Sequence, residues 1–257
     1  MSKRQKFVFA SLLLSLGLLS TQLVTIEFPW RYLAILGFFV VSYIVSAWAL
    51  FDDLKGLEWL TIVPYPGIYA VSVSLFYFLL PEAMLSRVVI FLLFGMGMYA
   101  LYLTSNIYSV AAIRTIQLLR AAHAVGFLMS LISGLFFYNS IFSFKWPFFV
   151  NSVLVFIVSF PIVLNGLWSV NLEPFLSRKI IIYTITVSFV LAEIAAAISF
   201  WPATVWISSL TLVTGLYVFL GLLQHHLQER LFRSTFREYL YMGVGVLMIM
   251  IILTPWK

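Results

Sequence analysis

Nine stretches of about twenty apolar residues follow one another along the chain, near 7–26, 31–51, 60–80, 87–104, 121–141, 147–169, 180–200, 203–224 and 239–256. About twenty apolar residues is the length of helix that crosses the hydrocarbon core of a bilayer. Lipid offers no hydrogen bonds, so a segment immersed in it must satisfy its own backbone, and a helix does so within itself. Composition points the same way. The 257 residues are 63% hydrophobic and 9% charged, with a mean hydropathy of +1.08, where a soluble chain carries about 25% charge. Too few polar groups exist to cover a surface in water. The expected fold is all-α, a polytopic transmembrane helical bundle of about nine spans. It forms a single integral membrane domain over 1–257 with no soluble domain.

The distribution of charge gives an orientation. Loops on the cytoplasmic side are enriched in Lys and Arg. With the N-terminus inside, the inner side carries Lys3, Arg4, Lys6, Lys55, Arg114, Arg120, Arg178, Lys179, Arg230, Arg233 and Arg237, and the outer side Arg31, Arg87, Lys145 and Lys257. That asymmetry predicts N-terminus in, C-terminus out and an odd number of spans. The eight tryptophans, Trp30 and Trp146 among them, fall at or near expected span ends, where indoles prefer to sit. The net charge of +6 is therefore read as membrane orientation, with no nucleic acid as partner. The first span, "MSKRQKFVFASLLLSLGLLSTQLVT", has the basic start and apolar centre of a signal peptide but no clean small-residue cleavage site. The expectation is a retained signal-anchor.

The chain has no cysteine, which excludes disulfides, thiolate metal sites and a cysteine nucleophile. H-E-x-x-H, G-x-S-x-G, P-loop and dinucleotide fingerprints do not occur. No motif supports catalysis, and neither a cofactor nor a metal is expected.

The polar residues that do occur within or beside spans carry the functional argument. "SNIYSVAAIRTIQLLRAAHAVGF" (105–127) places Arg114, Gln117, Arg120 and His123 three residues apart, a shallow stripe on a helix. Ser105, Asn106 or Ser109 would cap that helix. One reading is an interfacial amphipathic helix meeting anionic headgroups. A second places Arg120 and His123 at a cytoplasmic cavity as a phosphate or carboxylate site, since the fork of arginine suits such groups, and a third is a docking surface for another protein. Glu193, in "SFVLAEIAAAISFW", lies in the middle third of its span. An intramembrane carboxylate is costly and faces a cavity or a partner by default. It is read as a proton or cation site, against a neutral carboxyl bonded to neighbouring helices. Its small neighbours Ala192, Ala195, Ala196 and Ser199 favour close helix packing. Asn151, at similar depth, is its expected hydrogen-bond partner, and Asn165 is expected to pair with His123.

Other polar groups have plainer readings. "LLQHHLQERLFRSTFREY" is read as span 8 continuing into the cytoplasm, with Glu229 and Arg233 one turn apart. There Arg230, Arg233 and Arg237 form a basic face for anionic lipid headgroups. His226 and Glu229 make a single H-x-x-E pair, too little for a di-metal site. Asp52, Asp53 and Glu58 share one short loop in "FDDLKGLEWL", where Asp52 and Asp53 are read as marking a turn after span 2 and capping the next segment. Pro64 to Gly67, "PYPG", is expected to kink span 3, and Gly95 to Gly97 to allow close packing.

The runs "DLKGLEWLTIVPYP", 105–127 and "FPIVLNGLWSVNLE" resemble an uncharacterised group of bacterial multi-pass membrane proteins. The resemblance spans most of the chain. It implies a multi-pass protein of the bacterial cytoplasmic membrane and supplies no catalytic residue. Three function classes follow. The first is a permease-like protein that handles a small solute, ion or lipid along a path near Glu193 and the inner Arg/His cluster. The second is a non-catalytic subunit or assembly factor of a membrane complex. The third is an enzyme acting on a lipid-linked substrate; enzymatic activity is the least favoured.

Overall fold

A computed structural model describes residues 2–23, 30–52, 54, 56–81, 83–111 and 117–254. The described residues are overwhelmingly helical, with no strand among them. The helices are α1 (Lys3–Leu23), α2 (Trp30–Leu50), α3 (Glu58–Thr61), α4 (Pro64–Tyr77), α5 (Met84–Ala111), α6 (Leu119–Ser143), α7 (Phe148–Asn171), α8 (Arg178–Ser199), α9 (Val205–Leu227) and α10 (Arg233–Leu253). Eight stretches among the described residues are long and apolar enough to cross a membrane, α3 with α4 counting as one, and α1 is the ninth long helix. This is a multi-pass membrane protein, all-α as the hydropathy requires.

The chain divides into two compact units, 1–129 and 130–257, with α6 running through the boundary. In the first unit each helix presents one buried stripe at helical spacing. On α1 the stripe is Phe7, Ala10, Ser11, Leu14, Ser15 and Leu18; on α5 it runs from Ile90 through Phe94, Met98 and Tyr102 to Ser109. These stripes meet. Phe7 stacks on Tyr102 with ring centroids 5.9 Å apart, and Tyr69 of α4 stacks on Phe94 at 5.5 Å. Gly95 and Gly97 make room for this, as expected. A Cβ on Gly95 would lie 2.9 Å from Ser15 Oγ, and one on Gly97 would overlap the Tyr69 hydroxyl. The "PYPG" run acts as a break. Pro64 has no N–H to continue a helix, so α3 stops and α4 restarts with Pro64 in its first turn.

The second unit is built on α7. Its buried face includes Val155, Ser159, Ile162, Val163 and Trp168, and the Ser159 hydroxyl lies 2.7 Å from the Tyr138 hydroxyl of α6. Ser177 caps α8, accepting from the Ile180 N–H at 3.4 Å. The face of α8 made by Ile180, Thr184, Ser188, Leu191 and Ala195 is buried, and α8 packs most heavily on α7. α10 rests on α9 and buries only Met250. In water so bare a helix would not hold; lipid is its solvent on the other sides.

Two expectations about boundaries fail. Ser105, Asn106 and Ser109 do not cap an amphipathic helix, because α5 continues through them to Ala111. Ser105 and Ser109 are buried there. Nor does span 8 continue into a basic helix. α9 ends at Leu227, Glu229 takes a left-handed φ of 56°, and a new helix starts at Arg233. Glu229 and Arg233 are therefore not on adjacent turns of one helix, and the expected i,i+4 pair is absent.

Candidate functional site

Two carboxyls mark the places where polar chemistry enters the apolar body. Glu58, in the first unit, opens the one-turn helix α3. It is 6% exposed. Ser109 Oγ of α5 donates to Glu58 Oε2 at 2.6 Å, a short hydrogen bond. Below Ser109 on the same face lie Ser105 and Tyr102, and the Tyr102 hydroxyl is 3.1 Å from Ser46 Oγ of α2. The Tyr43 hydroxyl reaches the Trp59 carbonyl at 3.4 Å. Thus α2, α3 and α5 share a buried polar column in the first unit.

The opening of α6 lies beside this column. The Tyr108 hydroxyl donates to the Ala122 carbonyl at 3.0 Å, and its ring lies 5.7 Å from that of half-buried His123. Gly126 lets Tyr108 in: a Cβ there would overlap the Tyr108 hydroxyl. Arg120 and Gln117 are exposed. Arg114 lies outside the described residues, as do Asp53 and Lys55. At the end of α2, exposed Asp52 pairs with Lys6 Nζ at 2.7 Å. The hydrogen bond from Lys6, then its charge, holds the Asp52 carboxyl below its usual range.

Glu193 is different in every respect. It is on the exposed face of α8, in line with Ile185, Phe189 and Ala197. No hydrogen bond or ion pair reaches it among the described residues. Asn151, its expected partner, is turned elsewhere. It is buried, and its Nδ2 donates to the Trp146 carbonyl at 3.2 Å and to Ser199 Oγ at 3.1 Å. Ser199 lies six residues beyond Glu193, so the Asn151 Nδ2 is taken up at the α7–α8 seam, while its Oδ1 is buried with no hydrogen-bond partner among the described residues. Asn165 is buried in α7. Arg230, Arg233 and Arg237 are exposed, before and within the first turns of α10. His226 Nε2 is 3.4 Å from the Tyr183 hydroxyl. No group of three metal-ligating side chains occurs among the described residues.

The grooves in the second unit offer no polar chemistry. One of about 360 Å³ is lined by Ile194, Ile198, Trp201, Leu247 and Met250 with Thr211, and Trp201 Nε1 closes its end by donating to Thr254 Oγ1 at 2.8 Å.

Sequence reasoning missed the column around Glu58, having placed that residue in a loop with Asp52 and Asp53. The available signal was its setting, "GLEWLT", a lone carboxyl one turn before a span and flanked by apolar residues.

The model of a family described as protein of unknown function, DUF5656, matches residues 53–253, and the chain belongs to that family. No curated protein and no solved structure matches.

Proposed function

We propose that this DUF5656 membrane protein is a non-catalytic subunit of a membrane protein assembly, and that the outward face of α8 meets its partner. One observation carries the reading: Glu193 is exposed on a spanning helix, six residues before its end, with no hydrogen-bond or ion-pair partner among the described residues. A carboxyl facing hydrocarbon costs about 2.5–3.5 kcal/mol on insertion scales. A neighbouring protein helix removes that cost; a lipid tail does not. The permease-like reading needs Glu193 to line a path inside its own bundle, and its outward position argues against that. A permease remains the second reading because Glu58, Ser109, Tyr108 and His123 gather at one end of the first unit. An enzyme on lipid-linked substrates has no catalytic set to support it.

The proposed setting is the cytoplasmic membrane of a bacterium, N-terminus inside and C-terminus outside, from the charge asymmetry. In that frame Arg120, Arg230, Arg233 and Arg237 meet anionic headgroups on the cytoplasmic face.

Native mass spectrometry of the protein, gently extracted from its own membrane, tests both readings. The expected result is this chain bound to at least one further polypeptide, reduced to the lone chain by Glu193→Leu. A lone chain from the unaltered protein overturns the subunit reading. A small anionic ligand that is lost in Arg120→Ala/His123→Ala would put the permease reading first.

A further inference from the structure

We propose that the partner is a second copy of this chain, in a two-fold dimer through α8 where Glu193 hydrogen-bonds Glu193 of the partner subunit. The inference rests on the subunit reading and adds the partner's identity.

Depth is the first argument. Glu193 lies six residues before the end of α8 at Ser199, about 9 Å at 1.5 Å per residue. Two copies inserted the same way are related by an axis along the membrane normal. Such an axis brings each residue near it opposite its own copy at equal depth, and the interface is isologous. Glu193 on α8 then meets Glu193 on the second α8 with no adjustment of register.

Chemistry is the second. A carboxyl is self-complementary in the way an ammonium or guanidinium is not. One protonated oxygen donates to an oxygen of the other carboxyl, and the pair is satisfied by shared protons alone. A cation from another part of the same sequence is not on offer at that depth. The lysines and arginines of the described helices all lie within the first five residues of their helix, Arg237 the deepest.

Shape is the third. Ile185, Phe189, Glu193 and Ala197 are four residues apart and exposed, so they form one ridge of the kind that packs into the groove of another helix. Ala197, one turn from the carboxyl, is the small residue that lets two backbones approach. The opposite face of α8, with Thr184, Leu191 and Ala195, is buried, and α8 packs on both α7 and α9.

The chain has no cysteine, so single cysteines report contacts cleanly. Ala197→Cys and Phe189→Cys, each alone in native membranes under a mild oxidant, are expected to give a product of twice the chain's mass. Val153→Cys, on an exposed position of α7, is expected to give none. Adding Glu193→Leu to Ala197→Cys should cut the product at least tenfold, while Glu193→Gln, whose amide also donates and accepts, should retain it. Equal cross-linking with Glu193→Leu would sink the carboxyl pair. A cross-linked product of any mass other than twice the chain would sink the homodimer and leave the subunit reading standing. No product from either cysteine, with both reactive to a membrane-permeant maleimide, would sink the homodimer and leave the subunit reading to the mass-spectrometric test.

Discussion

Glu58 and Glu193 are the same side chain given opposite treatment by the two units. Glu58 is buried, lies in the first turn of α3, and receives the Ser109 hydroxyl at 2.6 Å. Glu193 is exposed on α8, with its exposed apolar neighbours Ile185 and Phe189. The first carboxyl is satisfied by the fold and belongs to its stability. The second is left to whatever covers α8. Burial in the ordinary sense thus inverts its meaning in a membrane. The buried carboxyl is the cheap one, and the exposed one carries the cost of a missing partner.

The sharpest way to break this contrast is to replace both carboxyls with leucine. Glu58→Leu removes the buried hydrogen bond with Ser109, at a cost of about 1–3 kcal/mol beyond any packing loss. The melting temperature in mild detergent should fall, and membrane abundance with it. Glu58→Gln, which can still accept from Ser109, should recover most of the loss. Glu193→Leu should do the reverse to the lone chain. Removing a carboxyl from the apolar face favours insertion by up to about 2.5–3.5 kcal/mol, so thermal stability of the monomer should hold or rise while association is lost. If both changes lower the monomer's melting temperature alike, Glu193 is structural and the contrast collapses.

Span positions were readable because hydropathy over twenty residues leaves few alternatives. What failed was the meaning of small polar residues near span ends. Ser105 and Ser109 looked like caps, yet α5 runs on through them, because a serine hydroxyl inside a bundle finds a partner such as Glu58 and need not end the helix. The break after α9 was missed for the converse reason. "QHHLQERLFR" is rich in good helix formers, and only the left-handed backbone at Glu229 turns the chain. The side of α8 on which Glu193 lies was not legible either. "AEIAAAIS" has alanines all round, with Ala195 inward and Ala197 outward, so no apolar stripe distinguishes the faces.

Asn151 sharpens the contrast within the second unit. The expected pairing with Glu193 is replaced by donation to Ser199 Oγ and the Trp146 carbonyl. Asn151→Leu should therefore destabilise the α7–α8 seam by about 1 kcal/mol and leave the α8 cross-link from Ala197→Cys unchanged. Loss of that cross-link in Asn151→Leu, at normal protein levels, would tie Asn151 to Glu193 after all.

Asp52 supplies the smallest effect and the reference point for both glutamates. It is paired, like Glu58, and exposed, like Glu193, but it lies in the loop after α2. Lys6 holds its carboxyl below the usual range, first by a hydrogen bond and then by charge, with a smaller push from Lys3. A carboxyl so depressed adds stability above its unfolded value, near pH 4, and the contribution fades as pH falls through the lower folded value. At the water boundary the pair is screened, so its worth is small. Lys6→Gln should thus shift the melting temperature of the protein in mild detergent only slightly at pH 7, less than Asn151→Leu does. The difference from the unaltered protein should shrink further below pH 4 and with added salt. A Lys6→Gln loss as large as that of Glu58→Leu would mean that water does not reach this pair.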